Sequence, residues 1–224
     1  MKFLLADDLA CQVESALAPH LVHDPFSVPE LGNAYRVTTV YCDTPELDVY
    51  HGLGSHKRRK YRLRCYGDES RVYLERKTKR AQQVRKKRTW VAAEDLAGLS
   101  QFQPRPDWQG DWFHQQLLKR RSNPVCCLSY LRTAYVGTSE HGPIRLTFDR
   151  QLAGAATTAW LPHQADAPIP FLGEQVVCEF KFRGALPVPF KSVIQSLQLT
   201  PCGVSKYRHC MQTATATARN GHHA

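Results

Sequence analysis

Charged and apolar residues alternate with a period of two along several stretches of this chain. In residues 60–66, Lys60, Arg62 and Arg64 fall on one side and Tyr61, Leu63 and Cys65 on the other, the spacing by which a strand exposes opposite faces. The same pattern sets Tyr73, Glu75 and Lys77 against Val72 and Leu74, and aligns Lys86 with Arg88. It also sets Arg145, Thr147 and Asp149 against Ile144, Leu146 and Phe148, and Glu179 and Lys181 against Cys178, Phe180 and Phe182. These runs predict strands over 60–66, 71–79, 84–91, 143–149 and 175–183, with two more over 35–42 and 128–136. The first three form a meander turned at Gly67-Asp68-Glu69-Ser70. Helical spacing appears over 7–18, where Asp7 and Asp8 open the segment, Leu9, Val13, Ala16 and Leu17 share a face, and Pro19 ends it. Further helices are predicted over 111–121 and 190–199. The small, polar residues from Thr213 to Ala224 read as a disordered tail. The expected fold is α+β: antiparallel strands closed into a tunnel over residues 1–211, helices packed outside, and a tail over 212–224.

Charge sharpens this picture. The chain of 224 residues carries a formal charge of +10. Residues 55–90 hold fifteen of the thirty Lys and Arg against three acids, so that stretch is +12 and the remainder −2. Such a local excess points to a polyanionic partner. Any half-exposed sheet alternates apolar and polar residues. Here, however, the polar faces are dominated by Arg and Lys on strand after strand, and amphipathic helices are available for the apolar faces. A sheet with its charged face inward accounts for both features. Unpaired cations in a dry interior would cost several kcal/mol each. The lumen must therefore hold water, counter-charged Glu75, Asp149 and Glu179, and an anionic ligand; those carboxylates could also hold a divalent cation.

Other classes find little support. The eight cysteines are scattered without a C-x-x-C pair, and Cys202, His209 and Cys210 have no zinc-motif spacing. They read as reduced, mostly buried thiols. No apolar run has membrane-spanning length and the start is too short for a secretory signal, so the chain reads as cytoplasmic. Gly52-Leu53-Gly54-Ser55-His56-Lys57 lacks the spacing of a phosphate loop and reads as a basic loop near a tunnel mouth. His222 and His223 read as solvated.

Seven segments, in order, resemble one family. They are Val40 to Leu47, Tyr61 to Gly67, Val72 to Lys79, Tyr130 to Tyr135, Ile144 to Asp149, Cys178 to Phe182 and Val204 to Tyr207. Together they resemble the VTC domain, the polyphosphate polymerase branch of the CYTH-like triphosphate tunnel metalloenzymes. The resemblance implies a β-tunnel that uses ATP and Mn²⁺ or Mg²⁺ to extend inorganic polyphosphate. The basic stretch 55–90 contains Tyr61, Tyr66, Tyr73 and Trp90 but no clear stacking platform, so no nucleic-acid partner is expected; association with a membrane protein stays open. By position, Arg62, Arg64, Lys77, Arg132, Arg145 and Lys206 correspond to catalytic phosphate contacts. Lys2, Glu75, Lys86, Arg88, Tyr130, Lys181 and Ser205 correspond to substrate-binding residues, and Glu179 to the metal-binding carboxylate. The family's first strand usually carries an acid ahead of its lysine; only Met1 precedes Lys2 here, so either the chain begins late or the first strand is frayed. A tripolyphosphate hydrolase of the same fold and a non-catalytic binder of polyphosphate or inositol phosphates remain as alternatives.

Overall fold

A computed structural model describes residues 1–80, 83–163 and 167–220. In chain order the elements are β1 (Lys2–Leu5), α1 (Asp7–Leu17), β2 (Val22–His23), β3 (Ala34–Asp43), α2 (Asp48–His51), β4 (Arg59–Tyr66), β5 (Arg71–Arg80) and β6 (Gln83–Ala92). They continue with α3 (Asp111–Arg120), β7 (Asn123–Ser139), β8 (Gly142–Ala156), β9 (Ile169–Pro170), β10 (Val176–Lys181), α4 (Val188–Ser196) and α5 (Lys206–Asn220). The predicted strands and helices are present, with β7 and β8 extending well past the predicted ends.

The chain divides into two compact units. One comprises Met1–Arg36, Tyr130–Leu152 and Leu172–Ser205. In it β1 pairs antiparallel with β10, and β10 with β8, in a register that sets Glu179 opposite Lys2 on one side and Thr147 on the other. All four residues of β1 are paired, and the Lys2 ammonium donates to the Val204 carbonyl at 3.1 Å. The expected fraying is therefore not observed, because both ladder bonds and a side-chain bond hold this strand. Phe3, Phe148, Cys178 and Phe180 form the buried side, covered by α1 and by Phe190 of α4. The buried stripe of α1 is Ala10, Val13 and Leu17, while Ala16 is exposed. Leu9, Val13 and Leu17 thus face the core as expected, and Ala10 rather than Ala16 completes the stripe.

The other unit comprises Val37–Ser129, Ala153–Phe171 and Lys206–Ala224. Its strands follow the order β3-β4-β5-β6, all antiparallel. The turn between β4 and β5 puts Gly67 at φ +51°, a left-handed conformation that glycine adopts without steric cost. Val40, Tyr61, Leu63, Leu74 and Val91 fill the apolar side, capped by Phe113 and Leu117 of α3.

Among the described residues the strands form an antiparallel sheet that runs from β1 to β6 with no pairing between those two strands, where a closed barrel was expected. β1 is four residues long, and the β6 edge is a run of exposed Lys and Arg. A short strand and a charged one are poor partners for further pairing. Residues 212–220 also differ from expectation: they continue α5 rather than forming a disordered tail. Tyr207, Cys210 and Met211 are buried and fix the start of this helix. The rest of the expected tail, including His222 and His223, lies outside the described residues.

Candidate functional site

On β4, β5 and β6 the alternation becomes a grid of charges. Cross-strand partners share a face, and the register produces three rows on one face. These are Arg64, Tyr73 and Trp90; then Arg62, Glu75 and Arg88; then Lys60, Lys77 and Lys86. Glu75 is completely buried at the centre. It accepts Arg62 Nε at 2.6 Å, lies 3.4 Å from Arg88 Nε, and pairs with Lys86 Nζ. Arg62 Nη1 also donates to the Tyr41 hydroxyl at 3.4 Å, and Arg64 Nε to Thr39 Oγ1 at 3.0 Å. Glu75 was assigned to substrate from sequence. In the structure its carboxylate is also the counter-ion shared by Arg62, Lys86 and Arg88.

The cations dominate the local electrostatics. Burial alone would raise the Glu75 carboxyl, but Arg62, Arg64 and Lys86 outweigh it and bring it down to about 2. Tyr41 behaves similarly: burial opposes ionisation, and Arg62, Arg64 and Lys60 overcome it, leaving the phenol at about 8. Because the folded carboxyl lies below its ordinary 4.5, its contribution to stability is complete above that pH and is lost as pH falls toward 2. The expected loss is about 3 kcal/mol. Urea midpoints measured between pH 5 and 2 should show this limb, and Glu75→Gln should flatten it.

Further basic residues lie at the end of the same hairpin. Lys57, Arg58, Arg59 and Lys79 line an open cavity of about 1060 Å³. The loop expected to be merely basic is in part a short 3₁₀ turn, His56–Arg58.

The first unit carries a second set. Arg132 grips Asp149 with two bonds, Nε to Oδ1 at 2.6 Å and Nη2 to Oδ2 at 2.8 Å, and Nη2 lies 3.3 Å from the Tyr130 hydroxyl. Both partners of this fork are buried. Burial works against the guanidinium charge, but Asp149 and Tyr130 more than compensate and raise the Arg132 pKa above its ordinary value. Arg145 Nη2 lies 2.7 Å from buried Asp24 and 3.0 Å from the Tyr35 hydroxyl. In the register Lys181 stands across from Arg145, and its ammonium is 3.4 Å from Glu179.

The predicted residues thus fall into two groups. Arg62, Arg64, Glu75, Lys77, Lys86, Arg88 and Lys206 belong to one unit; Lys2, Tyr130, Arg132, Arg145, Glu179, Lys181 and Ser205 belong to the other. Asp24, Tyr35 and Tyr41 escaped the sequence reading. So did Asp43, which accepts the amides of Thr44, Val49 and Tyr50 at 2.8, 2.9 and 2.9 Å and the Tyr207 hydroxyl at 2.5 Å. An aspartate followed by Thr44-Pro45 at a strand end is a cap signal that could have exposed it.

The VTC domain family matches residues 1–215. The chain belongs to this family. No curated protein sequence matches this VTC domain. Its fold is shared with a Hippeastrum protein described as an adenylyl cyclase with a dominant triphosphatase activity. That match has 13% identity and a TM-score of 0.55, covering 95% of this chain and 93% of the other. A Bacillus halodurans protein described as an adenylate cyclase matches with 13% identity and a TM-score of 0.56, covering 93% and 94%. No helix among the described residues is long and apolar enough to cross a membrane.

The resemblance read from the sequence implies a divalent cation. Among the described residues no group of three or more His, Cys, Asp or Glu side chains could cage one. The VTC domain does present Glu179 in register with Thr147, whose buried Oγ1 has no hydrogen-bond partner. One carboxylate and one orphaned hydroxyl suit a Mg²⁺-like ion that takes its remaining ligands from phosphate oxygens and water.

Proposed function

We propose that this VTC domain transfers the γ-phosphoryl group of ATP to the end of an inorganic polyphosphate chain. The observation that carries the reading is the grid on β4–β6. It places Arg62, Arg64, Arg88 and the lysines 60, 77 and 86 on one face, with a single buried carboxylate among them. Like charges opposite one another on a sheet are destabilising, and a polyanion relieves that repulsion.

The acceptor is already an anionic phosphate oxygen, so no general base is needed. The chemical task is to bring two oxyanions into line and to neutralise charge as the P–O bond to ADP breaks and the new one forms. Arg62, Arg64 and Arg88 offer planar forks that bind two oxygens at once; Lys60, Lys77 and Lys86 act as point charges. In the other unit, Arg145 and Lys181 supply charge to phosphate and Glu179 with Thr147 would hold the cation. That cation would supply charge neutralisation between phosphate oxygens. Lys2, Ser205 and Tyr130 in this unit and Lys206 in the unit that carries the grid are assigned to substrate contacts, and Arg132 to fixing Asp149.

The test is incubation with ATP and Mn²⁺ or Mg²⁺, with phosphate products sized on a gel. A ladder of lengthening chains is expected. Release of orthophosphate from tripolyphosphate without a ladder would instead mark a hydrolase, and binding without turnover a polyphosphate or inositol-phosphate receptor.

Ligand-dependent melting checks the anion site separately. Tripolyphosphate at about a hundred times its dissociation constant should stabilise the native state by roughly 2.7 kcal/mol, raising Tm by about 5–10 °C. Sulfate at matched ionic strength and a DNA oligonucleotide should do far less; equal shifts from all three would mark unspecific screening.

A further inference from the structure

The three rows on β4–β6 are not equivalent. The lysine row is purely cationic, the middle row alternates arginine and glutamate, and the row of Arg64, Tyr73 and Trp90 is aromatic. Trp90 is 48% exposed, beside the charged run Arg85–Arg88 of the same strand. Arg71 stacks over its ring at 5.2 Å, Arg88 covers the neighbouring Tyr73 ring at 3.5 Å, and Tyr66 meets Tyr73 edge-on at 5.5 Å. The tyrosine faces are therefore engaged, while much of the indole stays open. Rows two residues apart are separated by about 7 Å, so the indole and the lysine row lie about 13 Å apart on one face.

A ligand complementary to this face has a π-system at one end and phosphates at the other. An unadorned polyphosphate would use the lysines and arginines but leave the indole bare. A nucleoside triphosphate uses all three rows. We propose that Trp90 is a base-stacking residue that sets the direction of the bound nucleotide, with the nucleobase on Trp90 beside Tyr73 and the phosphates running past Arg62 and Arg88 toward Lys60, Lys77 and Lys86. This rests on the proposed use of ATP and adds to it a polarity: the transferable phosphate lies toward the lysine row. Stacking on an indole reads no base edges, and every base has a π-face. The site therefore accepts purine nucleotides with little preference between adenine and guanine.

The experiment compares the full chain with Trp90→Ala and Trp90→Phe by calorimetric titration with ATP, GTP and tripolyphosphate. Loss of one stacking contact should weaken ATP and GTP binding about tenfold or more, leave tripolyphosphate within about twofold, and be largely restored by phenylalanine. Unchanged tripolyphosphate affinity also reports that the variant is folded. Equal weakening of all three ligands, or no weakening of any, overturns the stacking role while leaving the proposed activity standing. A wild-type chain that binds tripolyphosphate but not ATP overturns the nucleotide donor and the base site together. A wild-type chain that binds neither overturns the cationic face as an anion site, and with it this polarity.

Discussion

Glu179→Gln is expected to lower metal-dependent ATP turnover by about 100-fold, comparable to losing one electrostatic contact at a transition state. The substitution preserves size and hydrogen bonding but removes the anionic oxygen. Lys2 and Thr147 flank Glu179 in register, and the Lys181 ammonium is 3.4 Å away. Removing the negative charge leaves that neighbourhood more cationic, so tripolyphosphate should bind as tightly as before or more tightly. Arg62→Ala should do the reverse, weakening tripolyphosphate binding about tenfold by deleting a charged hydrogen-bond donor. Steady-state ATP consumption with Mn²⁺ or Mg²⁺, together with calorimetric tripolyphosphate titration, separates the two. Wild-type turnover by Glu179→Gln would remove this residue from the cation site.

Asp149→Asn should produce the largest loss of stability, about 3–5 kcal/mol, because it strands Arg132 as a buried cation. Both side chains of the pair are nearly inaccessible, at 8% for Arg132 and 2% for Asp149. For a protein of this size the loss corresponds to a fall in Tm of roughly 10 °C. The paired replacement Arg132→Met with Asp149→Leu should recover most of it, since an apolar pair avoids the desolvation that the ions incur. Thermal melts of the single and double variants decide the matter. A double variant as unstable as the single would show that shape, rather than unpaired charge, governs the site.

The strands that carry charge were legible because period-two alternation is unambiguous when one face is nearly all Arg and Lys. β4, β5 and β6 therefore came within a residue or two of their observed ends. The far half of β8 was not legible. Gln151 takes a left-handed φ of +53°, and Ala153-Gly154-Ala155 follow without alternation. The reason lies in packing: a Cβ on Gly154 would sit 2.7 Å from the Cys127 carbonyl oxygen and 2.7 Å from Cys210 Sγ, so small residues are required where a pattern would otherwise show. Counter-ions were harder to read than cations. Glu75 was visible as a lone acid in a basic run, but its burial at the centre of the grid depends on the register of three strands. Asp24 meets Arg145 from a distant part of the chain, and nothing local marks the pair. α5 was misread because Thr and Ala resemble linker composition, whereas its order is imposed by the buried residues at its start.

Those residues also connect α5 to the chemistry. The Tyr207 hydroxyl donates to Asp43 at the end of β3, and its ring stacks on Tyr41 at 5.2 Å. Tyr41 in turn accepts a bond from Arg62, the residue that grips Glu75. A pull or a clamp applied to the last helix would therefore be felt, through two phenols, at the Arg62 guanidinium that holds Glu75. In mechanical terms α5 is a handle on the cationic grid, joined to Arg62 through the stacked rings of Tyr207 and Tyr41.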